Sequence, residues 1–242
     1  MINGYSVAII AIAVKSRHTC PVTTTNPRSR GRPPIALDRI VTTALEIVDE
    51  DGADALSMRT LAQRLNSGTA TLYRHFTSRA DLIASLVDTM FGAIDLDVTA
   101  LSDMPWQDAC KVAAHSMFDV LRRHRNVAPL LAEHVPVGPN ALAAREQMLA
   151  FLLENQFPPE LAARSYATLS RYILGFTMQL NGSGEDASLN QTFRELDPSQ
   201  FPATVAIADN LPVPWEDEFS FGLDLIVEGL AQTLRRAQSR GV

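Results

Sequence analysis

The chain has 242 residues, 46% hydrophobic and 20% charged, which is the make-up of a globular protein of one or two domains and excludes a fibrous or low-complexity chain. Its formal charge of −6 is unevenly spread: residues 1–80 carry ten basic and six acidic side chains, whereas 81–242 carry eleven and twenty-one, so the front is the part suited to a polyanion. Two cysteines, Cys20 and Cys110, lie far apart without CxxC or Cys/His spacing, which points to neither a zinc site nor a disulfide framework and fits a reduced, cytoplasmic setting.

The opening "VAIIAIAV", Val7 to Val14, has the apolar character of a signal-peptide core, but it is short, has no basic segment before it and no cleavage pattern after it. It reads instead as part of a disordered extension. Residues 15–34, "KSRHTCPVTTTNPRSRGRPP", lack apolar periodicity and complete a basic N-terminal arm spanning 1–34. From Ala36 the pattern turns helical. Ile40, Val41, Ala44, Leu45, Ile47 and Val48 share one face, and Gly52 ends the helix. Ser57 is a natural N-cap for a short second helix with Leu61, Ala62 and Leu65 inward, and "NSG" at 66–68 supplies a tight turn.

The third helix shows much and hides little. Leu72 and Phe76 are four apart and share the face packed inward on the first helix, so Thr69, Thr71, Tyr73, Arg74 and His75 point out. A fourth helix starts at Ser78, where an acid three residues on resembles a capping box, and continues through Leu82, Ile83, Leu86, Val87, Met90 and Phe91. Beyond it, 106–124, 141–157, 158–180 and 216–236 are each amphipathic, and no segment reads as a strand. Residues 181–200 are polar and read as mobile. No stretch after the opening reaches the ~20 apolar residues that span a bilayer.

Three short helices with a tight turn before the third form a helix-turn-helix, whose last helix enters the major groove. "SMRTLAQRLNSGTATLYRHFTSRADLIASL" resembles the DNA-binding domain of the tetracycline-repressor (TetR) family, the match covering about residues 36–94. "SYATLSRYILGF" and "FSFGLDLIVEGLAQTL" are similar to the two helices that form the dimer's four-helix bundle in the tetracycline-repressor branch. The resemblance implies an all-α protein with a disordered basic arm at 1–34, a helix-turn-helix DNA-binding domain at 35–80 and a helical ligand-binding and dimerisation domain at 81–242. It also implies phosphate contacts from Tyr73 and His75, a backbone clamp from Arg79, and base-facing positions at Arg59, Thr69, Ala70, Thr71 and Arg74. An arginine can pair bidentately with guanine, so Arg59 and Arg74 are the expected sequence readers. Arg30 and Arg32 in "RGRP" either enter an A·T-rich minor groove or form a solvated tail with long-range attraction only.

No GxSxG, HExxH, GxGxxG or Walker loop is present, so no catalytic residue, metal site or cofactor is expected, and an enzyme is the rival class that lacks a motif. The expected partners are a palindromic double-stranded DNA operator, a second copy of the chain and a small organic effector, with no membrane and a cytoplasmic, nucleoid-associated location. A regulator without an effector is the alternative. At positions matching the drug-binding and metal-binding groups of the tetracycline-repressor branch, this sequence has Leu131, Ala113 and Ile94, so magnesium-tetracycline is not the expected effector. Phe91, Trp106, Met117, Leu121, Leu131, Tyr172 and Phe176 are the candidate lining of an apolar site, with His115, His134 or Gln179 orienting the ligand, unless these residues simply fill the core.

Overall fold

The computed structural model describes residues 35–94, 96, 100–101, 103–133, 135–180 and 186–240. Among them there is helix and no strand. They divide into two compact units, one of 35–92 with 136–150, the other of the remaining described residues from Ala93 to Val135 and from Phe151 onward. Residues 81–92 and 136–150 therefore group with the helix-turn-helix, beyond the 80/81 boundary that the resemblance implies.

In the first unit, α1 (Leu37–Asp51) buries Ile40, Val41, Ala44, Ile47 and Val48 as their spacing requires, with Thr43 buried and Leu45 only half-buried. It stops at Gly52, whose φ of 87° is the left-handed region open to glycine and whose N–H reaches the Val48 carbonyl at 2.9 Å. Helix α2 (Met58–Arg64) is capped by Ser57, whose hydroxyl accepts from the Thr60 N–H at 3.0 Å. Helix α3 spans only Thr69–Leu72, and α4 runs over Arg79–Gly92. Ser78 Oγ accepts from the Asp81 N–H at 3.1 Å, and Asp81 reaches back to the Thr77 N–H at 2.9 Å, so the cap is reciprocal but displaced by one residue. Helix α1 packs on α2 and α4, and the main partner of α3 is α2 rather than α1.

The second unit contains α5 (Trp106–Arg123), α6 (Ala128–Glu133), α8 (Pro159–Gln179), α9 (Asp186–Arg194), α10 (Pro202–Ala206) and α11 (Trp215–Arg240). Helix α7 (Pro139–Glu154) begins in the first unit and ends in the second. Helices α5, α8 and α11 pack on one another, and α6 packs on α8. Along α11 the buried residues are Phe219, Leu223, Val227, Ala231 and Leu234, a stripe at helical spacing. The polar segment expected to be mobile instead contains α9. Its Asn190 amide donates to the carbonyls of Ala208 at 3.1 Å and Leu211 at 2.6 Å, and Arg194 pairs with Asp209 at 2.9 Å. Side-chain hydrogen bonds to a distant turn thus hold a stretch that has little apolar surface to bury.

Candidate functional site

The recognition segment depends on two anchors. Leu72 is fully buried and Phe76 nearly so, while Thr69, Ala70, Tyr73, Arg74 and His75 are exposed and Thr71 is half-buried. Only one turn is α-helical. After it, Tyr73 N–H bonds the Thr69 carbonyl at 3.0 Å, Arg74 N–H that of Thr71 at 3.3 Å and His75 N–H that of Leu72 at 2.9 Å. The last two are tighter, three-residue bonds, which satisfy the backbone while presenting successive polar side chains at a helix end. The preceding turn is set by Asn66, at φ 51°, with Ser67 N–H on the Ala62 carbonyl at 2.8 Å. Asparagine tolerates the left-handed region better than most non-glycine residues.

Arg59 is exposed on the first turn of α2. Arg79 has an internal task that its sequence context does not show. Its Nε donates to the Leu56 carbonyl at 2.7 Å and its Nη2 to the Ala53 carbonyl at 3.1 Å, tying the start of α4 to the turn between α1 and α2. A second bracket closes the other end of α2, where Arg64 meets Glu50 at 2.7 Å and Asp51 at 3.4 Å. The hydrogen bond and charge of Glu50 raise the Arg64 pKa further above its usual range. The polar face is thus carried on a small frame stapled at both ends of α2. Arg30 and Arg32 lie outside the described residues.

Two family models match the chain. "Bacterial regulatory proteins, tetR family" matches residues 40–86, and "Tetracyclin repressor-like, C-terminal domain" matches residues 100–234. An HTH-type transcriptional regulator of Saccharopolyspora erythraea is 30% identical, the match covering 85% of this chain and 89% of that one. The chain belongs to the TetR family. It is also similar to the HTH-type transcriptional repressor DrrR1 of Streptomyces coeruleorubidus, at 27% identity over 88% of this chain and 83% of that one. Among solved structures, apo ActR of Streptomyces coelicolor has a TM-score of 0.75 at 30% identity, covering 86% of this chain and all of that one. ActR has also been solved in complex with actinorhodin and with (S)-DNPA. The TetR family places this protein among DNA-binding transcriptional regulators with an N-terminal helix-turn-helix and a C-terminal helical domain.

In the second unit of this TetR-family chain the aromatic side chains gather on a residue the sequence reading missed. Phe219 is fully buried and stacks on Phe118 with ring centroids 4.1 Å apart and on Tyr172 at 5.3 Å. His115 and Phe176 meet it edge-on at 5.2 and 5.5 Å. The Tyr172 hydroxyl donates to the Phe219 carbonyl at 2.8 Å, and a Cβ at Gly222 would collide with that hydroxyl, so Gly222 is what lets α8 approach α11 here. Burial raises the Tyr172 pKa above its usual range, with the charge of Glu218 adding to it.

His115, Tyr172 and Phe176 are therefore brought together, and Phe118 and Phe219 join them. Trp106 packs instead against Phe157, edge-on at 4.9 Å. Leu121 and Leu131 are buried and Met117 is half-buried. Gln179 is exposed on α8, with its amide on the Gly175 carbonyl at 3.3 Å, and is not among the residues that gather on Phe219. Phe91 belongs to the first unit, and His134 lies outside the described residues. The signal for Phe219 was present as a phenylalanine at the head of the α11 stripe, but periodicity marks a buried face without saying which residue will be its hub. No group of three or more His, Cys, Asp or Glu that could hold a metal occurs among the described residues. Nor is any helix among them long and apolar enough to cross a membrane.

Proposed function

We propose that the protein is a cytoplasmic repressor that binds a palindromic DNA duplex as a homodimer and is released by a small, uncharged or weakly polar organic effector held in its second unit. The observation that carries the DNA half is the recognition segment, where five exposed residues, four of them able to hydrogen-bond, rest on two buried anchors. Tyr73 and His75 serve the phosphates, which set register without reading sequence, while Arg59, Thr69, Ala70, Thr71 and Arg74 face the bases. Arg30 and Arg32, ahead of this domain in the sequence, are the residues that would enter an A·T-rich minor groove in this reading.

Dimerisation is supported by α8 and α11, whose outer surfaces keep apolar residues in solvent. Phe221 is 65% exposed and Leu225, one turn on, 55%, with Met178 on α8 at 43%. Gly175 and Gly229 have open space where a Cβ would stand, so packing within the protomer does not require them to be small. A second copy of the same pair of helices covers such a surface and makes it isologous.

An organic effector is supported by the ring cluster of α5, α8 and α11 and by the ActR complexes with actinorhodin and (S)-DNPA. A regulator without an effector is favoured by a different observation, that these rings already pack on one another. Footprinting and titration separate the readings. Protection is expected over two symmetric half-sites about one helical turn or somewhat more apart; protection of a single half-site at saturation rules out the dimer. Magnesium-tetracycline is expected to leave the complex intact at micromolar concentration, because apolar residues replace groups whose loss costs about 1–3 kcal/mol each.

A further inference from the structure

Asp88 is a carboxylate on the apolar side of α4, between the buried Leu86, Val87 and Met90, and only 9% of it is exposed. Both of its oxygens are used, and both face the start of α7. Oδ1 accepts from the Ala141 N–H at 2.9 Å, and Oδ2 accepts from the Asn140 amide at 3.0 Å, which also reaches the Asp88 carbonyl at 3.3 Å. Helix α7 has no acidic residue in its first turn, and its first helical hydrogen bond, from Leu142 N–H, ends on the carbonyl of Gly138. A glycine has no side chain to cap with. The cap comes from Asp88, about fifty residues earlier in the chain, which satisfies an orphan N–H and places negative charge at the positive end of the helix.

Two glycines complete the joint. A Cβ at Gly138 would collide with the carboxyl carbon of Asp88, and one at Gly92 would lie 3.0 Å from the Asn140 amide nitrogen. The chain leaves the first unit after Gly92 and re-enters it at Pro136, so the joint sits beside two of the points where the chain passes between units. Its other end is α4, which begins directly after the recognition segment.

We infer that Asp88 is a positioning residue that couples α4, and with it the recognition segment, to the N-terminus of α7; this rests on the ligand-responsive reading above. The coupling is reciprocal, so DNA held by the recognition segment tightens the joint as the joint steadies DNA binding.

The test uses the full chain and a duplex enriched by the wild-type protein from a randomised pool. Hydrogen exchange at the Ala141 amide is expected to slow about fivefold when the duplex saturates the wild type. Asp88→Ala and Gly138→Ala are expected to bind the duplex about tenfold more weakly, and Ala141 exchange in them no longer responds to DNA. Asp88→Asn, which keeps an acceptor for the Ala141 N–H, is expected to bind within about threefold of wild type. A wild-type Ala141 amide indifferent to DNA overturns the inference even if every variant fails to fold, as does a folded Asp88→Ala that binds like wild type. Failure of the wild type to enrich any duplex overturns the DNA-binding reading instead.

Discussion

The two units handle their chemistry in opposite ways. The first exposes it: Tyr73 is 54% exposed, and its neighbours stand on a segment whose buried anchors are Leu72 and Phe76. The second turns it inward, with buried Phe118 and Phe176 and half-buried Tyr172 and His115 arranged around a Phe219 that has no exposed surface. A surface that reads DNA needs donors in water and a rigid frame beneath them. The organic effector proposed above would need contacts that can be exchanged, and ring-on-ring packing is of that kind, because rings stack on one another in several offset and edge-on arrangements of similar energy.

The largest expected effect tests whether the second unit is closed around Phe219. Phe219→Ala is expected to cost about 3–5 kcal/mol in urea unfolding, as for a ring removed from a filled core. A loss below about 1 kcal/mol would show that the rings border an open chamber rather than filling it. Leu72→Ala, by comparison, is expected to cost about 2–5 kcal/mol and to abolish DNA binding, because the recognition segment keeps only one anchor. Retention of duplex binding by that variant at full affinity would place the reading surface elsewhere.

Smaller effects sharpen the picture of the first unit. Arg74→Ala is expected to lower discrimination at one base position by about 1–3 kcal/mol in a binding-site selection, whereas Tyr73→Phe weakens all sequences alike. The smallest effect concerns Arg79. As a phosphate clamp alone, its charge is what counts, so Arg79→Lys would restore binding and Arg79→Gln would reduce the salt slope by ~1. As the bracket on Leu56 and Ala53 carbonyls, its forked donors count, and Arg79→Lys is expected to behave like Arg79→Gln. A measured log–log salt dependence for the three proteins separates the two roles.

The sequence by itself determined the all-α class, the bounds of the main helices to within a few residues, the cap at Ser57, the stop at Gly52 and the polar face of 69–75. These depend on neighbours three or four residues away, and a spacing of that length is written in the chain. Tertiary structure alone decided which distant groups meet: Arg79 with a carbonyl 26 positions earlier, Tyr172 with one 47 positions later, and Asp88 with an amide 53 positions later. It also decided that the polar 186–194 segment is a helix, through Asn190 and the turn at 208–211. An aspartate between Leu86, Val87 and Met90 reads in the sequence as an interruption of an apolar face. Only the packing of α4 on the first turn of α7 makes it a cap, because the free energy of a buried carboxylate depends on donors that no local pattern encodes.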